Sequence, residues 1–168
     1  MNPSPFLTAH AGRISKGKVL DVAAGQGRNA ILLASMGYEV LALDRDEESL
    51  NTLFHKSQHL QLSNLKSQQI DLEENHKKPP SFGRSYYDGI VVFFYLFRPL
   101  FPSLIRALKP SGILIYETFL IDNHEQFQHP HRKEFCLDHN ELLKLTQGLK
   151  VLHYEEGPAA NCLSLIHI

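Results

Sequence analysis

Apolar residues in this chain fall into short blocks, and glycine or proline punctuates nearly every gap between them. A short helix is predicted over Phe6 to Ile14. Lys18 to Val22, apolar and preceded by glycine, predicts a first strand. The turn Gly25 to Gly27 leads into a helix over Asn29 to Met36, which Gly37 ends as a left-handed cap. Glu39 to Leu43 predicts a second strand. Asp46 caps a helix from about Glu47 to Leu60 with Leu50, Leu53 and Phe54 on one face, and Leu65 to Ile70 predicts a third strand. Glu73 to Tyr87, with Pro79, Pro80 and Gly83, reads as a loop. Gly89 to Phe94 is apolar on both faces, as a central parallel strand is. Pro99 to Leu108 predicts a helix with Pro102 in its first turn, Lys109 to Gly112 a turn, and Ile113 to Phe119 another buried strand. Ile121 to Phe135 reads as a polar loop, and Asp138 as the cap of a helix from about His139 to Thr146. Leu149 to Tyr154 and Asn161 to Ile168 read as an antiparallel pair, joined by a turn holding Gly157 and Pro158.

Strand followed by helix, repeated, predicts an α/β fold: a Rossmann-like, seven-stranded, mostly parallel sheet flanked by helices, with an antiparallel C-terminal strand pair. Sheets of this kind bind ligands beyond the carboxyl ends of the strands, next to the first one. Five segments put polar or aromatic residues there. Val19-Leu-Asp-Val-Ala-Ala-Gly-Gln-Gly-Arg-Asn29 runs from strand to glycine turn to helix. Gly25 and Gly27 allow close backbone approach, and the helix start offers free N–H groups. Asp21 in this segment repels a pyrophosphate and attracts an ammonium group. Asp44, 19 residues after Gly25, can accept hydrogen bonds from both hydroxyls of a ribose. Arg45 beside it can lie over an adenine or stand as a solvated charge. Asp71 can accept from an adenine amino group while Leu72 packs on the ring, although a solvated loop acid fits the same pattern.

Asp88 opens the central strand, and Phe93 to Arg98 leave its far end. Phe93 and Phe94 fit core packing as well as a ligand wall, whereas Tyr95 and Arg98 are harder to place in a core. Glu117, at the end of the fifth strand, is either a catalytic or substrate-orienting carboxylate or a structural acid satisfied by neighbouring donors.

Composition narrows the class. The chain has 168 residues, 43% of them apolar and 21% charged, which suits one domain over residues 1–168. A net charge of −1 indicates no broad nucleic-acid or membrane surface. Cys136 and Cys162 form no CxxC pair and no disulfide framework, and Met1 to Pro5 lacks the basic and apolar regions of a leader; both fit a cytoplasmic location. No apolar run is long enough to span a bilayer.

With these residues in place, residues from about 18 to 156 resemble a class I S-adenosylmethionine-dependent methyltransferase. Gly25-Gln-Gly-Arg-Asn29 and Gly37-Tyr-Glu-Val40 are most similar to the small bacterial tellurite-resistance-type group. The resemblance implies S-adenosylmethionine as cofactor and methyl transfer to an acceptor, expected to be a small molecule. It implies a cofactor site at Asp21, Ala23, Gly25, Gly27, Arg28, Asn29, Asp44, Arg45, Asp71, Leu72, Phe93 and Phe94. Tyr95, Arg98 and Glu117 are the catalytic candidates: Glu117 or Tyr95 as a base, Arg98 to orient an anionic acceptor. The family's first glycine is Ala23 here, Ser111 replaces a glycine of the later turn, and the usual helix between the third and fourth strands is missing.

Two other functions fit parts of the sequence. Gly25-Gln-Gly-Arg-Asn-Ala30 satisfies a dinucleotide fingerprint, but Asp21 and the C-terminal pair count against an NAD(P)-dependent oxidoreductase. A partner or sensor protein could bind S-adenosylmethionine without catalysis, with Phe93 to Phe101 as its contact surface. His124, His129 and His131 match no familiar zinc spacing, so no metal is expected.

Overall fold

The computed structural model describes residues 2–159 and 162–167. Five parallel strands form the frame: β1 (Lys18–Val22), β2 (Glu39–Asp44), β3 (Leu65–Gln69), β4 (Tyr87–Phe93) and β5 (Leu108–Glu117), in spatial order β3-β2-β1-β4-β5. The order reverses beside β1, which opens the crevice beyond its carboxyl end. The helices are α1 (Pro5–His10), α2 (Arg28–Ser35), α3 (Glu47–His59), α4 (Phe101–Ala107), α5 (Ile121–Phe127) and α6 (Glu141–Leu145). Short 3-10 turns lie at Ala11–Arg13, Arg98–Leu100 and Lys133–Phe135. Two further extended segments, β6 (His153–Ala159) and β7 (Cys162–His167), follow.

Period-two alternation sorts the strand residues into two cores. Val19, Val40, Ala42, Val91, Phe93 and Ile115 pack with Leu7 of α1, Ala30 and Leu33 of α2, and Leu50 and Leu53 of α3. Leu20, Val22, Leu43, Ile90, Val92, Leu114 and Tyr116 pack on the opposite face with α4 and with Leu142 of α6. The central strand is therefore apolar on both faces because helices cover both. At the amino ends of the strands, Asp88 accepts from the Lys18 backbone N–H at 2.8 Å and pairs with Lys109 at 2.8 Å. That contact ties the starts of β1, β4 and β5 together, far from the crevice.

Several expectations are corrected. Phe54 is 53% exposed: it follows the buried Leu53 by one residue, about 100° around the helix, and so leaves the apolar face. The stretch expected as a loop from Ile121 holds α5, anchored by a bridge between Leu120 and Leu137 and by buried Asn123, whose backbone N–H donates to the Leu120 carbonyl at 3.0 Å. The sixth helix starts at Glu141 behind a left-handed Asn140, so Asp138 lies outside it; its carbonyl accepts from the Glu141 N–H at 3.0 Å. Residues 109–112 are a bulge rather than a free turn: Tyr87 faces Leu108 and Gly89 already faces Ile113, with Ser111 left-handed between them. Gly157 and Pro158 lie inside β6. The expected strand ends Asn161 and Ile168 lie outside the described residues.

Candidate active site

Two neighbouring cavities open at the carboxyl ends of the five strands. The first, about 310 Å³, lies over β2 and β3 and is lined by Asp44, Arg45, Ile70, Asp71, Leu72, Glu73 and Tyr95, with Leu96, Pro130 and Phe135. The second lies over the glycine turn and α2, lined by Pro3, Asp21, Gly25, Gln26, Arg28, Asn29 and Phe93, among others. Ala23, Phe94 and Phe119 line both.

The glycine turn is held from below. Ala24 N–H donates to the Leu43 carbonyl at 2.9 Å, and Gly25 N–H donates to Asp44 Oδ2 at 2.7 Å. Asp44 Oδ1 accepts from the Asp46 N–H at 2.9 Å. Each Asp44 oxygen thus has one backbone partner and retains acceptor capacity toward the first cavity. Gly25 has a left-handed φ of 53°, and a Cβ there would meet no protein atom within 4 Å, so the missing side chain leaves room for a ligand. Gly27, also left-handed, caps α2 against Leu53.

Asp21 is 2% exposed, and its Oδ2 is buried without a hydrogen-bond partner. Burial pushes its carboxyl up to about 7, with the Asp44 charge acting in the same direction and the Ala30 backbone N–H and Arg28 opposing it. A buried carboxylate with an unused oxygen, in a residue that lines a cavity, is matched by a cationic ligand group. The folded protein holds this proton where the unfolded chain has lost it, so the stability Asp21 contributes is complete below pH 3.8 and is lost as pH rises toward 7. Urea midpoints recorded across that window are expected to decline with pH in the wild type and to decline less in Asp21→Asn.

Asn29 is buried and its Oδ1 accepts from the Ser4 backbone N–H at 2.9 Å. Arg28 lies over the Phe94 ring at 5.3 Å. Arg45 and Asp71 are exposed at the rim, where Asp71 Oδ1 accepts from the Glu73 N–H at 2.9 Å; Leu72 is buried beneath them. Phe93 is buried as the last residue of β4, whereas Phe94 is 37% exposed with a left-handed φ of 57°. Ala23 is left-handed as well, at 56°. Two non-glycine residues in this region at one crevice mark stored backbone strain, concentrated where the cavities meet.

The three catalytic candidates are not brought together. Tyr95 borders the first cavity, its backbone fixed by the Tyr116 hydroxyl, which donates to the Tyr95 carbonyl at 2.6 Å. Burial, then the neighbouring Glu73 carboxylate, holds its own hydroxyl far above the ordinary phenol range, so it stays protonated. Glu117 is buried beneath the N-terminal segment and accepts from the Ser4 hydroxyl at 2.7 Å; burial raises its carboxyl, with Ser4 and Arg28 opposing. Neither cavity is lined by it.

Arg98 lines neither cavity. Its Nε and Nη2 donate to the two Glu141 oxygens at 2.6 and 2.9 Å, and Nη1 and Nη2 donate to the Glu134 and Cys136 carbonyls at 2.7 and 2.9 Å. All three guanidinium nitrogens are committed to holding the segment after α5. Arg98→Ala is expected to lower stability by about 1–3 kcal/mol, by stranding Glu141 and two carbonyls, and to leave ligand affinity unchanged. Thermal melts and a ligand titration of the variant check both halves.

Sequence reasoning missed Phe119, Pro130, Phe135 and the N-terminal Pro3 and Ser4. Phe119 was legible in principle, since it leaves β5 as Phe94 leaves β4. Ser4 before Pro5 signals a helix start, and its hydroxyl does accept from the first turn of α1. Nothing in the sequence pairs it with Glu117, 113 positions away. Of the loop imidazoles, His124 Nδ1 contacts the Pro130 carbonyl at 2.7 Å, and the His129 ring stands edge-on to Phe119. Among the described residues, no group of three His, Cys, Asp or Glu side chains is placed to hold a metal, and no helix is long and apolar enough to cross a membrane.

Comparison with known proteins agrees with this layout. Residues 7–160 match the family model described as "Tellurite resistance protein TehB". The chain is 32% identical over 101 residues to the probable S-adenosyl-L-methionine-dependent methyltransferase TehB of Haemophilus influenzae, a match covering 57% of this chain and 32% of that protein. It is 36% identical over 118 residues to a ubiquinone biosynthesis O-methyltransferase of Acinetobacter baylyi, covering 67% of this chain and 48% of that one. The chain thus spans half or less of the curated relatives it matches. The crystal structure of TehB from Haemophilus influenzae superposes with a TM-score of 0.74 over 96% of this chain and 58% of that chain, at 22% identity, which establishes the common fold.

Proposed function

The chain belongs to the tellurite resistance protein TehB family, and from that premise we propose that it binds S-adenosylmethionine across the two cavities and catalyses methyl transfer to a small-molecule acceptor. The observation that carries this reading is the unpartnered Asp21 Oδ2 beside the open Gly25 turn, with Asp44 beneath the adjoining cavity. A dinucleotide pyrophosphate would meet a carboxylate there. The ammonium of an amino-acid end would satisfy it.

In this reading the amino-acid end lies in the second cavity, with Asp21 facing its ammonium, Arg28 its carboxylate, and the backbone of Ala23, Gly25 and Gly27 beneath it. The adenosine lies in the first cavity: Asp44 accepts from the ribose hydroxyls, Asp71 from the adenine amino group, and Leu72 and Arg45 flank the ring. Asn29 acts indirectly by holding Ser4 and the N-terminal segment over the site. When bound, the cofactor supplies an electrophilic methyl group on a sulfonium. The protein's contribution is to position the acceptor in line with that group and to keep water out. Phe93, Phe94 and Tyr95 wall the site, and the Tyr95 hydroxyl stays protonated. Glu117 supports the site through Ser4 and the Phe94 backbone, whose N–H donates to the Glu117 carbonyl at 2.7 Å.

The same reading takes the chain as one methyltransferase domain. It places β7 and then β6 beyond β5 as an antiparallel pair completing a seven-stranded sheet, supported by the registers Ile115 opposite His167 and Tyr154 opposite Ile166. A cytoplasmic location accords with the free thiol of buried Cys136.

Turnover separates an enzyme from a binding protein. Purified protein given S-adenosylmethionine and a panel of thiol, phenol and amine acceptors is expected to form S-adenosylhomocysteine with at least one of them. Binding of the cofactor with no product from any acceptor would favour the sensor reading.

A further inference from the structure

The two cavities meet at a wall made of Ala23, Phe94 and Phe119. S-adenosylmethionine joins its adenosyl group to its amino-acid group through one sulfur atom. A molecule with one end in each cavity carries that sulfur across the wall. We propose that the Phe94 and Phe119 rings are the positioning residues for the sulfonium, holding its positive charge against aromatic faces at the point of transfer; this rests on the cofactor reading above.

The rings form a tilted pair with centroids 5.2 Å apart. Phe94 has a left-handed backbone conformation, and its N–H donates to the Glu117 carbonyl; this strained arrangement turns a large apolar side chain toward the crevice instead of the core. The Phe94 face already attracts a cation, since the Arg28 guanidinium stands over it. The carboxylates of the site stand to either side, Asp21 in one cavity and Asp44, Asp71 and Glu73 in the other, with none at the wall itself.

That distribution suits methyl transfer. A carboxylate against the sulfonium would itself be a nucleophile within reach of the methyl group. It would also stabilise most strongly the charge that disappears in the transition state, which slows the reaction. An aromatic face attracts the cation through its quadrupole, offers no lone pair, and excludes water.

The test compares ligands that differ in charge at this one position. S-adenosylmethionine and sinefungin carry a positive charge there, and S-adenosylhomocysteine does not. In calorimetric titrations, Phe119→Leu and Phe94→Leu are each expected to weaken the two charged ligands by roughly 3- to 30-fold while changing S-adenosylhomocysteine affinity less than about 2-fold. Phe119→Tyr, which keeps the ring, is expected to restore the wild-type preference. Equal losses for charged and neutral ligands, or no loss for any, would overturn the assignment and leave the cofactor reading standing. Failure of the wild type to bind any of the three would overturn both.

Discussion

Gly27→Ala is expected to lower stability by about 3 kcal/mol, a drop of roughly 10 °C in Tm for a domain of this size. Two costs combine. A Cβ at this position would lie 2.2 Å from Leu53 Cδ1 and 2.8 Å from Leu53 Cδ2. Leu53 is 1% exposed and packed among α2, α3 and the sheet, so it has little room to turn away. The backbone also has φ 74°, a left-handed value that costs a non-glycine residue about 1–2 kcal/mol. Gly25→Ala provides the contrast. It shares the left-handed φ but its Cβ would enter open space, so its melting point is expected to fall by less than half as much while cofactor affinity falls more. Thermal unfolding and cofactor titration of the two variants side by side check the division between a glycine needed for packing and one needed for ligand approach. Equal melting points would show that Leu53 yields to the new methyl group.

Asp44→Ala is expected to weaken S-adenosylmethionine binding by at least about 100-fold, from the loss of two hydrogen bonds to a charged acceptor worth about 1.5–3 kcal/mol each. The same substitution releases the Gly25 and Asp46 N–H groups that the carboxylate now holds. The glycine turn then loses its tie to β2, and some of the affinity loss comes from that turn. Asp44→Asn keeps one acceptor oxygen and is expected to fall between wild type and alanine. Calorimetry with S-adenosylmethionine and S-adenosylhomocysteine should give the same loss for both, because the ribose is common to them. A loss confined to one would place Asp44 away from the ribose.

How much of this was legible in the chain depends on the distance between interacting residues. The strand Lys18–Val22 and the helix after the glycine turn were readable because local period, punctuation and capping agree there. Gly37 stops that helix as expected, with φ 88°. Asp46 caps the next one through the Ser49 N–H at 3.1 Å. The helix Ile121–Phe127 gave no such signal: its one fully buried residue is Asn123, so it has no apolar stripe to read, and it is fixed by contacts to Leu137 made after the chain returns. The Gly157 and Pro158 pair looked like a turn and lies instead inside a strand.

The site divides along the same line. Asp21, Asp44 and the glycines stand on strand ends and one turn, so the order of elements alone groups them. Arg98 stands out in the sequence because a polar group follows an apolar strand. Its actual partners, Glu134, Cys136 and Glu141, lie 36 to 43 positions further on and could not be read from spacing. The N-terminal segment was equally opaque, since Ser4 reaches Glu117 only once α1 has packed across the sheet.

The most direct test of the account is a calorimetric titration of the purified wild-type protein with S-adenosylmethionine, S-adenosylhomocysteine, NAD and NADP. Binding of the two adenosyl ligands alone, with heat that reflects proton release from Asp21 below pH 7, is the expected result. Binding of NAD or NADP in preference to them would contradict it, and would mean that Asp21 does not select for a cationic ligand group.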